Sequence, residues 1–441
     1  TSVIYTSPNY TVNIISMFLL LSIFAITCKT YNVLDEKKHF MEAYNISYGN
    51  LDFNNPIVDE QFMENIPRGT HYIIMAENFK TPYNYEKGEI PEDDKADSTP
   101  AAYSPVLYMP SAFGILLGRL LGGSVADVFF LGRIFNLLTY MGLAVIILKI
   151  LPYKKNITFA ILMIPLLTCL AGTYSSDALG MGLVTLFVAY CLKLYQDKEN
   201  ITLKKLLVLI ALYGLTLTFK SMSYIGIGLL IFILPLKDIL KKMKHKTIWL
   251  ILFGLCILGL VLLIQPKIDI DAGDARVENT GFSAQLENII EHPSILLKVA
   301  YNHLTQSLLN YNWLVDINFR HYFSEAATWI FLIMLIYYIY IALKDDSINF
   351  GKKEKIIFII TFLVVYGMTS AVLYLTFTPV GSEVLTGYSP RYILPIVLLI
   401  LMCVSNKNLK NTEMPTDTLI KTNFICEIFL LTSLIGSIFM W

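Results

Sequence analysis

Residues 248–265, IWLILFGLCILGLVLLIQ, carry no charge, and clustered lysines precede them. Crossing a bilayer core as a helix takes about 20 mainly apolar residues, and backbone polar groups inside it must bond within the protein. Similar runs recur at 13–29, 128–148, 157–176, 178–192, 206–219, 221–236, 326–343, 356–378, 392–405 and 424–441. The pattern predicts an all-α integral membrane protein with about eleven transmembrane helices. Only 15% of the 441 residues are charged, against roughly 25% in soluble domains, which excludes a water-soluble globule. The run at 106–118 is shorter and is closed by Arg119, so it reads as re-entrant or interfacial.

Charge placement sets the expected orientation. The loops at 149–157, 193–205, 237–247, 344–355 and 406–421 hold 19 Lys/Arg in short stretches. Cytoplasmic loops are enriched in these residues, so these five are predicted inside, with the N-terminus inside and the C-terminus outside. Two long segments, about 30–127 and 267–325, then lie outside. The first has 14 Asp/Glu against 6 Lys/Arg between residues 30 and 105, and its stretch from Thr81 to Ser98 reads as an acidic loop. Within the second, 283–312 has the periodicity of one or two amphipathic helices. All six cysteines fall in or at the ends of apolar runs, which argues against a disulfide framework or a structural zinc site. The first apolar run lacks a basic leader and a cleavage site, so it reads as a retained span. Positive and negative charges balance at 34 each, and no glycine loop for a nucleotide is present.

The densest polar signal follows the first run: Asp35-Glu36-Lys37-Lys38-His39. Adjacent carboxylates just beyond a span can hold a general base at the membrane surface. On a helix Asp35 and His39 share a face, which makes half of a metal site at best. The other reading is a helix start, with Asp35 as N-cap and Glu36 favoured by the helix dipole. Lys220 in LTLTFKSMSY, Arg391 in GYSPRYILP and Arg133 interrupt apolar sequence. A charge at mid-bilayer costs roughly 2.5–3.5 kcal/mol on insertion scales and marks a functional candidate, whereas snorkelling to the headgroups is the competing role. For Arg119 snorkelling is the expected one. Lys220 and Arg391 could together form a phosphate pocket. Asp177, in SSDA, either caps a helix or faces that pocket. Tyr103, Ser104, Pro105, Tyr108 and Pro110 form a Pro/aromatic entry that can be a plain turn or the lining of a sugar or lipid groove. His71, His292, His303 and His321 lack metal-ligand spacing and are assigned no role.

With these residues in order, the chain resembles the C-class (GT-C) glycosyltransferases, membrane enzymes that use polyprenyl-phosphate sugars. Their hallmark is a first outer loop that opens with an acidic pair and continues to a Tyr/Pro-rich entry. More narrowly, DEKKHFMEAYNIS, YSPVLYMPSAFGILLGR, SSDAL, LTFKSMSY and GYSPRYILP resemble, in order, a bacterial family of predicted membrane proteins of undefined function within that superfamily. The resemblance covers most of residues 30–400. It departs at Lys37-Lys38, where the family usually has Pro-Ala.

The resemblance implies a transmembrane catalytic module over 1–405, with a cytoplasmic linker and last helix over 406–441. Asp35 would be the general base of an inverting transfer and Glu36 a supporting carboxylate. Lys220 and Arg391 would hold the phosphate of an undecaprenyl-type donor. His39 would orient Asp35 or contact that phosphate, and Tyr103, Tyr108 and Asp177 would line the groove. No metal or cofactor beyond the donor substrate is called for. The partners implied are membrane lipid, a lipid-linked sugar and a cell-wall polymer or glycolipid acceptor at the outer face of a bacterial plasma membrane, with no nucleic acid. The alternatives are a transporter or polysaccharide-export partner, for which a mid-membrane charge set and an inverted repeat are expected, and an inactive transferase-like subunit, which Lys37-Lys38 keeps open.

Overall fold

The computed structural model describes residues 35–51, 103–162, 165–242, 246–264, 277–305 and 348–404, with positions 22, 25, 26, 28–31, 66, 69, 70, 72, 271, 336, 339, 340 and 343. Among these residues the regular structure is helical, without strands. In chain order the helices are α1 (Glu36–Ser47), α2 (Met109–Leu120), α3 (Val125–Ile150), α4 (Lys155–Leu162), α5 (Pro165–Ala171), α6 (Ser176–Gln196) and α7 (Leu203–Leu217). There follow α8 (Ser221–Tyr224), continued by a 3-10 stretch Ile225–Ile233, then α9 (Leu236–Lys242) and α10 (Thr247–Ile264). The set closes with α11 (Phe282–Glu291), α12 (Ile295–His303), α13 (Lys352–Thr376) and α14 (Leu394–Cys403).

Four of these, α3, α6, α10 and α13, are long and apolar enough to cross a membrane, and the pair Met222–Ile233 and Leu236–Lys242, bent by 78°, would make a fifth. The expectation of eleven is therefore not met among the described residues. The runs 13–29 and 326–343 lie almost entirely outside them, and 424–441 wholly so. Proline accounts for part of the rest, because it removes a backbone donor and interrupts a continuing helix. Pro165 opens a new short helix within the 157–176 run, and Pro235 stands at the bend after the 3-10 stretch. The 106–118 run forms α2, 12 residues long, or about 18 Å at 1.5 Å per residue, too short to span.

Small residues let α2 press against α3. A Cβ built on Gly114 would meet the Leu131 carbonyl oxygen, and one on Gly118 would lie 2.9 Å from the Val128 Cα. This is the small-xxx-small spacing of membrane helix pairs. The start of α3 is fixed by a reciprocal cap: the Asp127 amide donates to Ser124 Oγ at 3.3 Å, and the Ser124 amide donates to Asp127 Oδ2 at 3.0 Å. By contrast, α10 rests on α7 and leaves most of its side chains outward, with Leu263 81% exposed. A helix apolar all round and so exposed suits lipid.

The central element is α6, whose core window is 83% buried. Its C-terminal end gathers the lysine-rich loops. Tyr195 and Tyr153 pack on Phe350 at 5.8 and 6.0 Å, Lys154 Nζ donates to the Val404 carbonyl at 2.8 Å, and Lys242 Nζ donates to the Glu199 carbonyl at 3.0 Å. Four of the five lysine-rich loops thus meet at one end, and the fifth, 406–421, is outside the described residues. The acidic loop from Thr81 to Ser98 is outside them too. The amphipathic segment forms α11 and α12, divided around Pro293.

Candidate functional site

The site lies at the other end of α6, about 27 Å from Tyr195 along the helix, where α1, the 105–108 turn, the α7–α8 junction and the 389–393 turn converge. Its foundation is a buried ion pair. Arg133 Nε donates to Glu36 Oε1 and Nη2 to Glu36 Oε2, both at 2.9 Å. The backbone amides of Tyr31 and Tyr174 donate to the same carboxylate at 3.0 and 3.1 Å. Arg133 also donates to the carbonyls of Ala25, Cys28 and Lys29. Both side chains are fully buried. Glu36 therefore fastens α1 to α3 and to the turn before α6. Its acceptor sites are occupied by Arg133 and two amides, which corrects its expected role as a supporting catalytic carboxylate. Arg133, which in sequence is a charge interrupting an apolar run, is the other half of this fastener.

Asp35 sits at the N-cap position of α1, yet its backbone is left-handed at φ 60° and its side chain makes no capping hydrogen bond. The helix does start here with Glu36 in its first turn, as the alternative reading has it, but without a side-chain cap from Asp35. On the next turn, His39 Nδ1 is 2.9 Å from Tyr108 Oη, and the His39 and Tyr103 rings are 5.9 Å apart. Burial holds the His39 imidazole down to about 4, against the pull of the Asp177 and Asp35 carboxylates and with that of Arg391 and Lys220. His39 is thus neutral at pH 7 although two acids and two cations act on it. Burial, followed by the charge of Glu42, pushes the Tyr108 phenol well up, so it keeps its proton.

Asp177 is also relieved of capping, because Ser175 caps α6 and accepts from the Asp177 amide at 3.1 Å. Its carboxylate instead bridges the two cations: Lys220 Nζ is 3.1 Å from Oδ1, and Arg391 Nε is 3.0 Å from Oδ2. Lys220 is left-handed as well, at φ 46°. Residues held in sparsely populated backbone regions cluster at functional sites, and Asp35 and Lys220 are two of the five non-glycine residues with positive φ among those described. The Lys220 ammonium stands 3.6 Å from the Tyr392 ring centroid and 5.5 Å from that of Tyr103.

The structure thus brings His39, Tyr103, Tyr108, Asp177, Lys220 and Arg391 together with Asp35, and assigns Glu36 elsewhere. Arg119, expected to snorkel, is tied into the protein: Nη2 donates to the Ser47 carbonyl at 2.5 Å and the guanidinium lies 3.5 Å over the Tyr48 ring. It serves the C-terminal end of α1, where a cation is favoured. Two neighbours escaped the sequence reading. Tyr392, the last residue of GYSPRY, has no role in the sequence pattern. His303, set aside for lack of ligand spacing, packs with Tyr366 and Tyr388. The only signal for either was tyrosine density beside a cation, which helical cores also show.

Together, apolar helices of spanning length, one with its apolar surface turned outward, and a charged cluster at one end define an all-helical membrane protein. The chain belongs to the family described as Predicted membrane protein (DUF2142), which it matches over residues 18–400. No curated protein and no solved structure matches it.

Proposed function

We propose that this protein is a GT-C-type glycosyltransferase that moves a sugar from a polyprenyl phosphate to a cell-envelope acceptor at the outer face of a bacterial plasma membrane. The observation that carries the reading is the bridging of Lys220 and Arg391 by Asp177. Asp177 offsets one of the two buried cations, and a polyprenyl phosphosugar, a phosphodiester with a single negative charge, is an anion that Lys220 and Arg391 could hold beside it. Arg391 can bind phosphate oxygens through its planar fork, whereas Lys220 acts as a point charge.

In this mechanism Asp35 takes the proton of the acceptor hydroxyl. The oxygen attacks the anomeric carbon from the face opposite the phosphate, forming the new glycosidic bond with inversion. The bond from that carbon to the phosphate oxygen breaks, and its electron pair stays on the departing polyprenyl phosphate. Fixed cations at a developing charge are often the largest catalytic contribution, and a general base adds typically 10²–10⁴-fold. Neutral His39, held by Tyr108, orders the space between the two carboxylates. The separation of the site from the lysine-rich loops by most of the length of α6 supports an outer-face location, since such loops favour the cytoplasm.

The test is purified protein in nanodiscs with a panel of undecaprenyl-phosphate sugars, following release of undecaprenyl phosphate. Asp35→Asn is expected to abolish release without changing expression or melting temperature. Equal release by that variant refutes the assignment of the base. No release from any donor by folded protein favours the transport or inactive-subunit alternatives.

A further inference from the structure

The aromatic surroundings of the cation pair continue beyond it. Tyr392, whose ring lies under Lys220, is 5.9 Å from Tyr388 between ring centroids. Tyr388 in turn stands 4.5 Å from His303 and 5.8 Å from Tyr366. The His303 and Tyr366 rings are stacked at 5.3 Å, 12° from parallel, and His303 Nε2 is 3.1 Å from Ser370 Oγ. An unbroken track of rings thus leads from Lys220 to α12 and α13. A feature inside it has no structural explanation. The Tyr366 hydroxyl is buried and has no hydrogen-bond partner among the described residues, although the residue is only 8% exposed. A buried donor without a partner is rare and calls for a ligand or other explanation.

We infer that the Tyr366–His303–Tyr388 cluster is a carbohydrate subsite, in which a sugar ring packs on the aromatic faces and one of its hydroxyls bonds to Tyr366. An isoprenoid chain would suit rings without polar groups, whereas this track is polar, with the Tyr366 phenol open to a ligand and the imidazole and the Ser370 hydroxyl bonded to each other behind it. The inference rests on the transferase reading for its choice of ligand and extends it, because the sugar could belong to the donor or to the acceptor. Aromatic residues flanking a phosphate pocket suit either.

The experiment compares wild type with Tyr366→Phe in nanodiscs. The probes are undecaprenyl phosphate, its glucosyl, galactosyl, mannosyl and arabinosyl esters, and the methyl glycosides of the same sugars. Because Tyr366 Oη bonds to nothing described, its removal is expected to leave the melting temperature unchanged or slightly raised, which a merely structural tyrosine would not do. A hydrogen bond to a ligand corresponds to roughly a threefold to tenfold loss of affinity. Loss confined to the lipid-linked sugars, with undecaprenyl phosphate unaffected, places the donor sugar here. Loss confined to the methyl glycosides places the acceptor here. Equal weakening of undecaprenyl phosphate itself overturns the inference in favour of the lipid chain. Unchanged binding of every probe overturns it too while leaving the phosphate pocket standing. Failure of wild type to bind any probe refutes both the subsite and the transferase reading.

Discussion

Replacing Glu36 separates a fastening role from a catalytic one. In Glu36→Ala the Arg133 guanidinium stays fully buried with three backbone carbonyls and no anion, and the Tyr31 and Tyr174 amides lose their acceptor. Breaking a buried ion pair from one side costs about 3–5 kcal/mol. Orphaning two buried amides adds to that, which places the loss at the upper end of that range or above. In the double variant Glu36→Met/Arg133→Leu no charge is left behind, and such replacements are often neutral or stabilising. The amides remain unpaired there, so partial recovery is expected. The assay is the thermal midpoint of monodisperse protein in one mild detergent, read at a single scan rate because membrane proteins of this size commonly unfold irreversibly. The expected order is wild type, double variant, Glu36→Ala, with a fall of roughly 5 °C or more for the last. A Glu36→Ala midpoint equal to wild type, or one no lower than that of the double variant, would refute the fastening role.

Asp177→Asn leaves Lys220 and Arg391 buried without their shared carboxylate, so the midpoint is expected to fall by a few degrees; inorganic phosphate should raise it more than it raises that of wild type, and equal shifts would count against an anion pocket. His39 is held neutral at about 4 in the fold, below its ordinary 6.5, so between those values the unfolded chain binds a proton that the folded one does not. Stability contributed by the neutral imidazole is therefore present above pH 6.5 and lost as pH falls to 4, by about 3 kcal/mol over the whole window; midpoints from pH 4 to 7 should slope less in His39→Gln than in wild type. Gly114→Ala drives a methyl into the Leu131 carbonyl and should cost about 1–3 kcal/mol, whereas Gly142→Ala on the same face-to-face pair of elements, with open space around its Cβ, should leave the midpoint unchanged.

Different parts of this architecture were legible for different reasons. Apolar length alone identifies α3, α6, α10 and α13, because a span has to be apolar over most of its length. It fails at 157–176, where the same hydropathy is shared between short helices with Pro165 opening the second, and it is only partly met at 221–236, where an α turn passes into a 3-10 stretch and the helix bends at Pro235, since lipid compatibility depends on composition and helix continuity on backbone donors. The pairing of Asp177 with Lys220 and Arg391 was legible only as a possibility: three segments separated by 43 and 171 residues in the chain meet there, and no local spacing encodes that meeting. Glu36 misled because adjacent carboxylates look equivalent in sequence. Successive residues at a helix start point in different directions, so Glu36 turns into the protein toward Arg133 while Asp35 remains beside His39.

That divergence orders the acidic residues of the site by the work each can do. A carboxylate buried behind a guanidinium and two amides has no face open to a substrate hydroxyl, so Glu36 holds geometry. Asp177 is fixed between two cations, and in the proposed transferase it would limit the net positive charge they present to a phosphate. In the proposed transferase, a pocket with both cations uncompensated would hold the product, a phosphomonoester with up to two negative charges, more tightly than the donor, and one compensating carboxylate would narrow that difference. In the proposed mechanism Asp35 is the carboxylate that takes the proton, and its left-handed backbone, without a side-chain cap, sits directly beside the Glu36 fastener. The fastener and the proposed base are adjacent in sequence, so the first would place the second.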